Sequence, residues 1–137
     1  MQNHLNKSQT INLGSFYTPD YIVEIVYKML LNYLVKNKLN LNDFVLLDSS
    51  CGYGNFLHNS KKHNNLDFKK KIGVDIDKKA LKIAKENFIN YKNPPLFLHN
   101  NSLINVIRKN FKIDNSDKLI IIGNPPYNDK TSIVQNH

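Results

Sequence analysis

Four short apolar, partly β-branched runs, at 44–47, 72–74, 96–98 and 119–122, divide the chain, and segments of helical character separate them. Strands alternating with helices require right-handed crossovers, which build an α/β fold: a parallel sheet with helices on both faces. In such a sheet ligands bind beyond the carboxyl ends of the strands, at the point where strand order reverses. The informative residues are therefore expected directly after each run.

The helical segments carry their own signals. Thr18-Pro19 has the form of an N-cap followed by proline at the first helical position, and Ile22, Val23, Val26, Met29, Leu30, Tyr33 and Leu34 follow at helical spacing, predicting a helix over 19–35. A second helix is expected over 78–91, with Asp77 as cap and Ala80, Leu81, Ala84, Phe88 and Tyr91 along one stripe. Pro94-Pro95 stops it before the third strand. Residues 1–12 are polar and aperiodic and read as a flexible arm, and 37–43 as a linker.

At 137 residues the chain has the length of one domain, and no apolar run approaches the roughly 20 residues that span a bilayer. The first ten residues are too polar for a secretion signal, so the expected location is the cytoplasm, away from membranes. A single cysteine, Cys51, excludes an internal disulfide and a multi-cysteine metal cluster, and the five histidines lack ligand spacing, so no metal is expected. The net charge of +8 suits a polyanionic partner, but lysines spread along the whole chain read first as solvated faces.

After the first run comes Leu47-Asp48-Ser49-Ser50-Cys51-Gly52-Tyr53-Gly54-Asn55-Phe56-Leu57. Two glycines separated by one residue permit a tight turn that lets backbone approach a ligand, and a helix N-terminus is expected after it. Leu57 occupies the position where a dinucleotide site wants glycine or alanine, which disfavours a nicotinamide cofactor. The second run ends in Asp75-Ile76-Asp77. Asp75 suits the two hydroxyls of a ribose and Ile76 the face of an adenine ring, while Asp77 suits a helix cap. The third run ends in Asn100-Asn101-Ser102, where an amide could meet the cofactor adenine or the residues could simply turn the chain.

The fourth run ends in Gly123-Asn124-Pro125-Pro126-Tyr127, the sharpest signal in the sequence. Each proline forces its predecessor out of helical geometry, so the segment is stiff and extended. The Asn124 side-chain oxygen and the Pro125 carbonyl can both accept hydrogens from one amino group. That frees the nitrogen lone pair to attack a methyl group. Tyr127 offers a stacking surface worth about 1–3 kcal/mol to an extruded base.

Together these motifs resemble the amino-methyltransferases that act on adenine in DNA, and the resemblance runs from Gly14 to the catalytic loop. Leu13-Gly14-Ser15-Phe16-Tyr17-Thr18-Pro19 is similar to the family's N-terminal cofactor motif. That motif stands before the glycine motif and the loop, as in the gamma group found in many restriction-modification systems. The resemblance implies a Rossmann-like S-adenosylmethionine-dependent methyltransferase fold. Tyr17, Thr18 and Pro19 would meet the methionine moiety, and Asp48, Cys51, Gly52 and Gly54 would line its amino and carboxylate region. Asp75, Ile76, Asn101 and Ser102 would hold ribose and adenine. Asn124, Pro125, Pro126 and Tyr127 would hold the target base, with Asn124 also beside the cofactor. The implied partners are double-stranded DNA with a flipped adenine and a restriction or specificity subunit.

Two positions depart from the family pattern. Ser49 stands where proline is frequent, and Asn101 where an aspartate usually meets the cofactor adenine. The family's sheet also continues beyond a fourth strand and leads to a DNA-recognition domain. Residues 13–137 are therefore expected to form a partial domain, truncated after the fourth strand and with little methylation activity alone. The competing expectations are a glutamine methyltransferase of release factors, an RNA adenine methyltransferase, and an inactive cofactor-binding module.

Overall fold

A computed structural model describes residues 18–57, 66–102 and 107–124. Helix α1 (Asp20–Lys36) is followed by a 3-10 turn (Leu41–Asp43) and strand β1 (Phe44–Asp48). Strand β2 (Lys70–Asp75), helix α2 (Lys78–Asn87) and strand β3 (Leu96–His99) come next. A second 3-10 turn (Arg108–Phe111) and strand β4 (Lys118–Ile121) complete the order.

All pairings are parallel, in the order β3-β2-β1-β4, with Asp48 opposite Gly73 and Leu47 opposite Ile121. The chain steps outward from β1 to β3, then returns to the other side of β1. The reversal lies between β1 and β4, and their carboxyl ends are the place where sheets of this kind bind ligands.

Each central strand buries both faces. Val45 and Leu47 pack with Ile72, Val74, Phe111 and Ile113 on one side. On the other, Leu46 and Phe97 pack with Val23 and Tyr27 of α1 and Leu81, Ala84 and Phe88 around α2. Each fully buried large aliphatic chain contributes about 1.5–3 kcal/mol. Among the described residues the face of Val45 and Leu47 is covered by the 3-10 turn at Phe111 rather than by a long helix.

Three helical expectations need correction. The first helix begins at Asp20 with Pro19 as its N-cap residue, and Thr18 does not cap it: the Pro19 carbonyl accepts from the Ile22 and Val23 amides at 3.1 and 3.2 Å. Its buried line runs through Val23, Tyr27 and Leu34, leaving Met29 and Tyr33 in solvent, because the wide apolar pattern did not single out which stripe faces the sheet. After Gly52 the chain makes successive turns through Leu57, with Gly54 N–H donating to the Cys51 carbonyl and Leu57 N–H to the Gly54 carbonyl, and no helix starts there among the described residues. The helix expected to reach residue 91 ends at Asn87, and its stripe continues as a turn at Phe88.

Candidate active site

The loop after β1 is tied to β2. The Cys51 amide donates to the Val74 carbonyl at 2.9 Å, and the Gly52 amide donates to Asp75 Oδ2 at 2.8 Å. Gly54 has φ +85, and a side chain there would strike the Phe88 ring at 2.8 Å, so glycine lets the turn lie flat on the end of α2.

Asp75 is buried and also accepts from the Asp77 amide at 2.9 Å through Oδ1. Each oxygen thus has one backbone donor and keeps a second lone pair for a ligand hydroxyl. Burial raises its pKa, the Asp77 and Gly52 amides oppose the rise, and the Asp77 charge adds to it. Ile76, the next residue, is 46% exposed, so an apolar surface stands open beside that carboxylate. Asp77 caps α2 as expected, with Oδ1 accepting from the Lys79 and Ala80 amides at 3.0 and 3.2 Å.

Asp48 is the most enclosed group of the site, 1% exposed, with Oδ1 accepting from the Ser50 amide at 3.0 Å. Its Oδ2 accepts no hydrogen bond among the described residues. Burial raises its carboxyl, the Ser50 amide pulls against that, and the Asp75 charge raises it again, leaving it at about 7. Cys51 is buried beside both carboxylates, and burial followed by those two charges holds its thiol far above its ordinary range. Burial therefore favours the thiol over the thiolate there.

From the N-terminal side, the Thr18 carbonyl accepts from Asn55 Nδ2, and the Tyr27 hydroxyl donates to the Phe56 carbonyl. These bonds hold the start of α1 against the glycine turn, bringing Thr18 and Pro19 to the same end of the sheet as Asp48 and Gly52. Ser102 Oγ donates to the Ser49 carbonyl, so the chain leaving β3 folds back over the strand ends toward β1. Asn101 sits in that return, its amide donating to Asn100 Oδ1 at 2.7 Å.

Beyond β4, the Ile122 amide donates to the Leu47 carbonyl at 2.9 Å, extending the ladder up to Gly123. Gly123 has φ +140, and a side chain there would meet Asp48 Oδ1 at 2.5 Å. Asn124 follows, exposed at the reversal point. Tyr17, Pro125, Pro126 and Tyr127 lie outside the described residues, as do residues 1–16.

Of the expected site residues, Thr18, Pro19, Asp48, Cys51, Gly52, Gly54, Asp75, Ile76, Asn101, Ser102 and Asn124 thus gather at one end of the sheet. Tyr27 and Asn55 were missed as site-forming residues. Tyr27 shares the helical spacing of Val23 and Leu34, but its bond and that of Asn55 span 29 and 37 positions and leave no local mark in the sequence. A separate groove of about 780 Å³, lined by Lys69, Lys70, Lys71, Tyr91 and Lys92 among others, lies at the opposite end of β2 and takes no part in this arrangement. Among the described residues no three side chains group as metal ligands, and no helix is long and apolar enough to cross a membrane.

A parallel sheet reversing beside β1, with a glycine turn and an acidic residue at the ends of its first two strands, is the fold of S-adenosylmethionine-dependent methyltransferases. A protein of Pyrococcus horikoshii, provisionally described as an RNA methyltransferase, shares it at a TM-score of 0.57 and 19% identity, over 92% of this chain and 56% of that one. An S-adenosylmethionine-dependent methyltransferase of Clostridium acetobutylicum ATCC 824 aligns at a TM-score of 0.42 and 25% identity, over 54% of this chain and 28% of that one. All of residues 1–137 match the family described as N-6 DNA Methylase, and the chain belongs to that family. It is similar to the type II methyltransferase M.BanIII of Aneurinibacillus aneurinilyticus, 39% identical over 75 residues, which are 52% of this chain and 13% of that protein.

Proposed function

We propose that this chain supplies the cofactor-binding end and catalytic loop of an enzyme that methylates the N6 amino group of adenine in double-stranded DNA, within a restriction-modification system. The observation that carries the reading is the adjacency of Gly123 and Asp48: the run into Asn124 leaves β4 in contact with the buried carboxylate at the end of β1. Membership of the N-6 DNA methylase family and likeness to a type II methyltransferase support the choice of reaction and substrate.

The residues fit S-adenosylmethionine. The buried Asp48, with no cation paired to it and Oδ2 without a partner among the described residues, suits its positively charged methionine end. Thr18 and Pro19 would close over that end. Asp75 would take the ribose hydroxyls, Ile76 one face of the adenine, and Asn101 with Ser102 its edge. The bound cofactor supplies a methyl group made electrophilic by the sulfonium. Asn124 and the Pro125 carbonyl would accept the hydrogens of the target NH₂, with Pro126 stiffening the loop and Tyr127 stacking on the extruded base.

The test is transfer of a labelled methyl group by the intact protein to duplex DNA, followed by nucleoside analysis. Label in N6-methyladenine supports the reading. Label in RNA or in a release factor, or cofactor binding with no transfer, overturns it.

A further inference from the structure

Asp48 and Asp75 stand at the ends of adjacent strands but are not equally able to carry charge. Asp75 has two backbone N–H donors, from Gly52 and Asp77, and is 8% exposed. Asp48 has one, from Ser50, is 1% exposed, and leaves Oδ2 unpartnered among the described residues. The groups that face Asp48 cannot help it ionise. Asp75 approaches from β2 as a like charge, Tyr27 from α1 is a buried phenol, Cys51 from its own loop is a buried thiol, and β4 presents the backbone of Gly123. No lysine, arginine or histidine pairs with it among the described residues. A second negative charge there costs far more than in water, so without a ligand Asp75 ionises first and Asp48 keeps its proton.

Resting on the reading of this site as a S-adenosylmethionine site, we propose that Asp48 is the proton-linked positioning residue of cofactor binding: a cationic ligand entering the site drives the proton from its carboxyl to solvent, and the resulting ion pair fixes the wall on which Gly123, one residue before Asn124, rests. The balance is simple. The neutral acid and the cation become a carboxylate-cation pair, and one proton leaves. Burial and the Asp75 charge, set against the Ser50 amide, hold this carboxyl at about 7, high enough for the exchange to occur at neutral pH. The geometry adds the second half, because the Gly123 backbone packs on the same carboxylate whose charge the ligand sets.

The experiment is calorimetric titration of the intact protein with S-adenosylmethionine in buffers of different ionisation enthalpy, between about pH 5 and about pH 6.5, where the ligand's own amino group stays protonated. The proposal expects release approaching one proton per ligand, with affinity rising about tenfold per pH unit. Asp48→Asn should abolish both the release and the pH dependence, while Asp75→Asn should weaken binding and leave a net release from Asp48. Should Asp48→Asn fail to fold, carboxyl-labelled aspartate in the unaltered protein gives the same answer by NMR, through one buried resonance that titrates near neutrality and shifts to its ionised position when ligand is added. Tight, pH-independent binding with no proton released overturns the inference and leaves the cofactor assignment intact. Absence of binding at every pH overturns both.

Discussion

The α-carbon of Gly123 lies against the carboxylate of Asp48, so close that a side-chain carbon would stand 2.5 Å from Oδ1. One contact thereby joins the end of β1, where the cofactor's charged end is proposed to sit, to the residue that precedes Asn124. Gly123→Ala introduces that carbon and also strains a backbone held at φ +140. The backbone term alone costs about 1–3 kcal/mol. A lowered thermal midpoint is expected together with weaker cofactor binding, read by calorimetry. Wild-type stability and affinity in the alanine variant would show that the two strand ends do not depend on each other.

Asn124→Ala in the intact protein separates binding from chemistry. The side-chain oxygen is proposed to accept from the target amine and not to carry the cofactor's affinity. Loss of a single preorganised polar group in an active site costs on the order of a hundredfold to a thousandfold in turnover. Methyl transfer should fall by that factor while S-adenosylmethionine affinity stays within about threefold. Undiminished turnover would remove Asn124 from the reaction.

Tyr27→Phe tests the tie between α1 and the glycine turn. The hydroxyl belongs to a fully buried ring and donates to the Phe56 carbonyl, so its removal leaves a buried acceptor without that donor. A loss of about 1–3 kcal/mol is expected in denaturant unfolding. Because the same turn presents Gly52 to Asp75, cofactor affinity should fall as well. Stability lost with affinity unchanged would confine Tyr27 to the core.

How far this arrangement could be read in the sequence depends on how local each part is. The strands were legible within two residues, because compact apolar runs have few alternatives. Helix α2 was legible because Asp77 caps it and Ala80, Leu81 and Ala84 share a stripe. Sheet order was not legible, since pairing β4 beside β1 brings together residues some 70 positions apart through contacts that leave no period. Thr18 misled for a related reason. It has the composition of a cap, but its carbonyl is held by Asn55 and the first helical acceptor is the Pro19 carbonyl. In the site, the acidic and glycine positions were visible as types. Asp48 being closed off from water, with Gly123 as its wall, is a property of the packed strand ends alone.

That enclosure makes a prediction about stability as well as binding. Asp48 is raised to about 7 and Asp75 is raised in the same direction, both first by burial. A carboxyl whose folded pKa lies above its unfolded value favours the folded state fully below the unfolded value, about 4, and loses that contribution as pH climbs through the folded one. The cofactor-free protein should therefore lose on the order of a few kcal/mol between about pH 4 and about pH 7. Asp117, lowered by its hydrogen bond from Lys69, works in the opposite sense and only below that window. Thermal midpoints measured across the range should decline toward neutrality and level off above it, and Asp48→Asn should flatten most of the slope. Saturating S-adenosylmethionine should flatten it too, because a bound cation lets Asp48 ionise in the folded state. A cofactor-free protein whose midpoint is constant or rises from pH 5 to 7.5 would mean that the Asp48 carboxyl ionises as readily in the folded chain as in the unfolded one.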